Sequence, residues 1–249
     1  MKRSVRQFIA LSLCFSLVSS IPVFASETVT TQNQEMIAGP VDDYVYEMIE
    51  DYENGVFVER NDVETLEMAT LFDEESAYSN SGMNVTYLYD NREIAPNTYA
   101  ATQIVITEGE EDSDASISQG VKAVCVIEYN LMDVGDWYDY IMLTNVKGAI
   151  LYENDDYDCT RLQLKYEVRG DAYDEDGNRY GWKGDATSFD DRTIYDPLVG
   201  FYYLQPGPRD YYYCMGVYGS LVAGFLSAKI ENSAGDVEYL SCQPAFEAV

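Results

Sequence analysis

The 249-residue chain contains no histidine. That absence removes Ser-His-Asp and Cys-His mechanisms and every His-ligated metal centre. No CxxC pair occurs either, which leaves no zinc-site spacing. Cations are scarce: 15 Lys and Arg face 44 Asp and Glu, for a formal net charge of −29. Such a chain repels nucleic acid and anionic polymers, and it attracts cations, basic peptides or calcium. Beyond the first 25 residues there is no second long apolar run, no cell-wall sorting motif and no hydrophobic tail, so no stable membrane anchor is expected.

The one apolar run that exists reads as a secretory signal. Lys2, Arg3 and Arg6 form a positive n-region, residues 8–24 carry no charge, and Val23-Phe24-Ala25 offers a cleavage site before Ser26. Leu13 before Cys14 argues against a lipobox. Residues 1–25 are therefore expected to be a signal peptide, and the mature chain to be secreted and extracellular. Removing the three cations takes the net charge from −29 to −32. The resemblance this supports is loose: signal style and a β-rich mature chain are similar to small secreted proteins of Gram-positive bacteria, and imply no activity.

Four cysteines lie beyond the signal: Cys125, Cys159, Cys214 and Cys242. In an oxidising compartment an even number suggests two disulfides. Sequential pairing, Cys125–Cys159 and Cys214–Cys242, closes the shortest loops. Pairing Cys125 with Cys214 would instead place Trp137 and Tyr212 at immunoglobulin-like spacings.

Two patterns divide the remainder. Residues 26–38 are polar, and Val41, Tyr44, Val45, Met48, Ile49 and Tyr52 then recur at helical spacing, with Asn54-Gly55 as a stop. A second short helix is expected over Asp62–Phe72 and a linker over residues 73–83. From residue 84 the period becomes two. Strands are expected at Asn84–Tyr89, Ala100–Thr107, Val121–Tyr129, Trp137–Asn145, Lys147–Tyr152, Leu198–Leu204, Tyr211–Tyr218, Leu221–Glu231 and Val237–Cys242. The cleanest alternation sets Leu162, Leu164, Tyr166 and Val168 against Gln163, Lys165, Glu167 and Arg169. The expected architecture is mainly β. It is an antiparallel β-sandwich over residues 84–249, immunoglobulin-like or jelly-roll-like, with a small N-terminal helical segment over residues 26–83.

Three features could carry function. The acidic turn Asp174–Asn178 offers Asp174, Asp176 and Asn178 as calcium ligands, calcium being the one cofactor these loops could take. It fails as an EF-hand loop: with Gly177 sixth, Ala172 and Lys183 fall where acids are needed. Aromatics beside acids (Trp137, Tyr138, Tyr140 and Trp182) could form a platform for a sugar or a protein. Strict alternation would place Trp137, Ile141 and Leu143 in the core and Tyr138 and Tyr140 outside. Paired carboxylates could run a glycan hydrolase. The composition favours a secreted, non-enzymatic binding or surface-interaction module that meets protein or glycan at the cell exterior. The alternatives are the carboxylate-dependent hydrolase and a calcium-stabilised adhesion module.

Overall fold

A computed structural model describes residues 36–56, 60–61, 84–108, 121–152, 157–232 and 234–248. The expected signal peptide, the helix at Asp62–Phe72, the linker at 73–83 and most of two acidic loops (109–116 and 153–156) lie outside the described residues.

Among the described residues the chain is mainly β, with an antiparallel sheet of many strands and one short helix. A first strand, β1 (Ile37–Pro40), leads into α1 (Asp43–Glu53). Then come β2 (Arg60–Asn61), β3 (Asn84–Ala95), β4 (Thr98–Glu108), β5 (Lys122–Met132) and β6 (Tyr140–Tyr152). Next are β7 (Tyr157–Tyr173), β8 (Arg179–Ala186), a 3-10 turn at Phe189–Asp191, β9 (Thr193–Tyr195) and β10 (Phe201–Pro206). The last are β11 (Tyr212–Cys214), β12 (Leu221–Asn232), β13 (Val237–Cys242) and β14 (Ala245–Glu247). The strand order is β13-β12-β7-β11-β6-β5-β4-β3-β2, with β2 alone parallel to its neighbour. The outermost strands do not pair with each other, so the sheet is not closed.

The long strands β6 and β7 are joined through β11: Tyr213 pairs with Ile141 on one side and Ala172 on the other. Beyond this bridge the sheet bends back, bringing β12 against β5 and β6, and β13 against β4 and β5. The main core fills the space between, from Ala123, Ile127, Tyr129, Ile141, Leu164, Leu226 and Phe246 among others. Two glycines allow the close approach. A Cβ on Gly148 would meet Leu164 and Leu226, and one on Gly224 would meet Ile127 and Val146. Substituting either overpacks a full core, which costs about 1–3 kcal/mol.

Helix α1 covers the opposite face of β4–β6. Val45, Met48 and Ile49 pack with Ile104, Val124, Val126, Ala149 and Leu151. Residues Ala123 to Ile127 are therefore all buried, because the strand has a core on each side. Polar contacts fix the helix as well. The Tyr44 hydroxyl lies 2.9 Å from Thr102 Oγ1, the Arg92 guanidinium stacks 3.9 Å over the Tyr44 ring, and Arg92 is ion-paired with buried Asp90. The end of the segment read as polar, Ile37 and Ala38, belongs to β1, which pairs with β10. Pro40 ends that strand and α1 begins three residues later.

The alternation at Leu162–Arg169 lies within β7, with Leu162, Leu164, Tyr166 and Val168 buried. Trp137–Asn145 and Lys147–Tyr152, expected as two strands, overlap a single strand that starts only at Tyr140. Tyr211–Tyr218 shortens to Tyr212–Cys214 because Gly216 and Gly219 lie in the turns that follow.

The expected disulfide framework is corrected. No disulfide joins Cys125, Cys159, Cys214 or Cys242, and all four are buried. Register explains why Cys214 pairs with neither Cys125 nor Cys242. Cys159 pairs with Ile230 near the start of β7, whereas Cys214 follows Tyr213, which pairs with Ala172 near its end. Cys214 also pairs with Tyr140, itself opposite Met132, seven residues along β5 from Cys125. At about 3.3 Å per residue that is about 23 Å, against the roughly 4.4–6.8 Å between Cα atoms that a disulfide needs. Cys242 pairs with Leu226 and hence with Leu164, again seven residues along the strand from the position beside Cys214. Cys159 lies four residues along β12 from the Cys242 register, about 13 Å away.

Buried tyrosines set an alkaline limit. Burial pushes both Tyr44 and Tyr213 up to about 12, and raises Tyr129 and Tyr202 further. An unfolded tyrosine ionises near 10 (about 10). A raised folded-state pKa contributes stability that is complete below the unfolded value and lost as pH rises through the folded one. The fold should therefore lose stability between about pH 10 and 12. Ultraviolet absorbance of tyrosinate should show a cooperative late step there; one non-cooperative step near pH 10 for all tyrosines would contradict it.

Candidate functional site

Two hairpin ends meet at one edge of the molecule. The first connects β5 to β6 through Asp133–Asp139; the second connects β7 to β8 through Asp174–Asn178. Val134 of the first lies in contact range of Gly177 in the second. Each turn is built by its own acids, as expected for Asp in tight turns. Asp133 accepts from Gly135 N at 2.8 Å, and Asp136 from Tyr138 N at 3.0 Å. Asp174 accepts from Asp176 N at 3.0 Å and Asn178 N at 2.8 Å, while the Asn178 amide donates to its Oδ2 at 3.0 Å. Gly177 takes the left-handed conformation at φ +78° that closes the second turn.

Between the two ends lies a cleft of about 530 Å³, lined by Met132, Asp133, Asp136, Tyr140, Tyr173, Glu175 and Asp176 among others. Among the described residues, four carboxylates and no Lys or Arg line it. Its floor is rigid. Tyr140 packs edge-on against Tyr173 at 4.9 Å, and its hydroxyl donates to Asp136 Oδ2 at 2.7 Å. Burial, then that hydrogen bond, raises the Tyr140 pKa, so the hydroxyl remains a fixed donor.

Exposed rings lie on the same hairpin ends and on the turn after β11. Trp137 is 98% exposed, Tyr218 83%, and Tyr138 and Trp182 just over half. Tyr138 and Trp182 both approach that turn, which carries Tyr218. The Tyr138 ring lies against Gly216, where any Cβ would collide with it, and Trp182 Cη2 lies 3.7 Å from the Cβ position of Gly219. Met215 N also donates to the Asp139 carbonyl at 2.8 Å. On β8, Tyr180 packs on Tyr211 at 5.4 Å and donates its hydroxyl to Asp174 at 3.2 Å.

The aromatic and acidic residues anticipated from the sequence are thus at one end of the molecule, and two of them differ in exposure from the expectation. Trp137, expected in the core, is nearly fully exposed, and Tyr140, expected outside, is buried. The alternation was anchored on a strand beginning at Trp137, whereas Asp136 turns the chain there and the strand begins at Tyr140. Asp174, Asp176 and Asn178, considered as calcium ligands, form a turn instead: the Asp174 carboxylate is engaged by Asp176, Asn178 and Tyr180. Those hydrogen bonds, led by the Asn178 amide, hold Asp174 below the usual carboxylate range. Among the described residues no group of three or more Asp, Glu or Cys side chains is arranged to hold a metal ion. Sequence reasoning missed Tyr173, Glu175 and Tyr218. For Tyr218 a signal existed, since Gly216 and Gly219 bracket it with turn residues.

Asp174→Ala should loosen the second turn without unfolding the sheet. Amide exchange should accelerate at Asp176 and Asn178 and stay unchanged in β12; unchanged exchange at the turn would refute the role given to Asp174.

Among the described residues, no helix is long and apolar enough to cross a membrane. Compared with known proteins, the chain matches no family model and no curated relative.

Proposed function

We propose that this chain is a secreted, non-enzymatic binding module that grips a cationic protein segment at its acidic aromatic end. In this reading the bent-back sheet acts as a β-sandwich, a rigid carrier for two hairpin ends. One observation carries the reading: a cleft lined, among the described residues, by four carboxylates and no cation, with exposed Trp137 on the turn that lines it and exposed Trp182 opposite Asp171, two residues from Tyr173. Lys and Arg side chains suit such a place. Their charge is attracted by the carboxylates, and their heads stack over aromatic faces. Exposed Trp and Tyr supply contact area at low entropic cost. The net charge of −29 steers cationic partners toward the whole molecule.

Hydrolysis fits less well. A glycan hydrolase needs a carboxylic acid kept protonated near neutral pH. Burial raises the Glu238 pKa in that direction, but Glu238 pairs with Ile230, at the Cys159 end of β7. The cleft lies at the Tyr173 end, about 45 Å away along the strand.

Calorimetric titration with a Lys/Arg-rich peptide tests the proposal. Binding should weaken strongly at high salt, and the double variant Trp137→Ala/Trp182→Ala should lose at least about tenfold in affinity. Both rings are more than half exposed, so the thermal midpoint should stay unchanged. A neutral oligosaccharide that binds while the basic peptide does not would replace the cationic partner with a glycan.

A further inference from the structure

Cys125 faces the main core from β5, alongside Ala123, Ile127 and Tyr129. Cys242, at the end of β13, faces the same core alongside Leu240. They are 0% and 2% exposed. Three contacts place one over the other. The Cys242 thiol donates to the Ala123 carbonyl at 3.7 Å, two residues before Cys125. The amide of the next residue, Gln243, donates to the side chain of Gln103, and Gln103 is the register partner of Cys125 on β4. On the other side Cys125 pairs with Gly148 on β6; Leu226 lies over Gly148, and Leu226 is the register partner of Cys242. The sulfurs also sense each other. Burial, then the charge of an ionised Cys242, raises the Cys125 pKa.

We infer that Cys125 and Cys242 are a latent disulfide pair, joined across the two facing parts of the sheet when the chain folds in an oxidising environment. This inference is independent of the proposed ligand. The other two cysteines are too far away along their strands to compete. Cys159, whose thiol donates to the Arg161 carbonyl, lies four residues along β12 from the Cys242 register, about 13 Å away, and Cys214 is at the cleft end. The oxidant is a small-molecule disulfide such as oxidised glutathione. One cysteine thiolate attacks it, releasing one glutathione and forming a mixed disulfide. The second thiolate displaces the other glutathione and closes the S–S bond. Two thiols are oxidised, one disulfide is reduced to two thiols, and the two protons pass to solvent and the released glutathione. Because both sulfurs are buried in the finished fold, exchange must occur before the core closes.

The bond would close a loop of more than 100 residues, from position 125 to position 242. Loop entropy for such a length makes unfolding roughly a thousandfold less favourable. The full chain, folded in a glutathione redox buffer, is alkylated under denaturing conditions, digested and mapped without reduction. The expected map contains a peptide pair linking Cys125 to Cys242 and alkylated Cys159 and Cys214, with Cys14 resolved on its own peptide. Reduction should then shift the urea midpoint downward, and the double variant Cys125→Ala/Cys242→Ala should lose that shift. Alkylation of both Cys125 and Cys242 in the oxidised chain, or a link from either to Cys159 or Cys214, would overturn the inference. The map uses the unsubstituted chain, so a variant that fails to fold cannot rescue it.

Discussion

Tyr129→Ala should destabilise the protein by about 3–5 kcal/mol, a large part of the stability of an ordinary domain. Tyr129 is fully buried on β5 and links three elements. It stacks on Tyr99 of β4 at 5.5 Å, meets Phe246 of β14 edge-on at 5.0 Å, and donates its hydroxyl to Asn91 of β3 at 2.8 Å. Removing the ring leaves a cavity where the C-terminal strand meets the inner sheet. Tyr129→Phe separates the two contributions. It retains the packing and removes only the hydroxyl that Asn91 accepts, so it should cost about 1–3 kcal/mol. Urea unfolding of both variants checks the order. Equal effects would mean that the hydrogen bond, not the aromatic stack, holds β14 in place.

Val45→Asp should detach α1 from the sheet. Val45 is 0% exposed, among Met48, Ile104, Val124 and Val126. A carboxylate among these apolar side chains loses its hydration, which costs several kcal/mol, about 3–5 if it stays uncompensated. The chain can avoid that cost by releasing the helix, which exposes the outer face of β4–β6. The expected result is rapid amide exchange throughout Asp43–Glu53, new binding of a hydrophobic dye, and protection retained in β7 and β12. Protection kept in α1 would show that the helix is anchored mainly by its tyrosines, through Tyr44 to Thr102 and Tyr52 to Thr86.

These two sites also show what could be read before the fold was known. The apolar face of α1 and the alternation of β7 were legible because each is a local period with one buried side. The turn at Asp174 was legible because Asp, Gly and Asn each have a specific local role there. Non-local facts were not. Nothing in the sequence says that β11 bridges β6 and β7, or that Cys242 reaches Ala123 rather than Cys214. The reversal of Trp137 and Tyr140 has a sharper cause. Trp137 lies in the turn before the strand, where alternation does not apply and Asp136 accepts from Tyr138 N; Ile141 and Leu143, inside the strand, are buried as the alternation requires, and Tyr140 is buried as well because Tyr173 packs on its ring. The expected exposures of Trp137 and Tyr140 are thus reversed, while Tyr138 is exposed as its place in the alternation implies.

The acidic aromatic end can be tested by light emitted from it. The chain has two tryptophans, Trp137 and Trp182, and both are exposed, one on the β5–β6 turn and one on β8 near the second hairpin end. Their fluorescence reports this end of the molecule and nothing in the core. Titration with a Lys/Arg-rich peptide at low salt should give a saturable change in tryptophan emission that high salt abolishes and a neutral peptide of equal length does not produce. Peptide binding detected by calorimetry with no change in tryptophan emission, or no binding of a cationic peptide at all, would contradict the account.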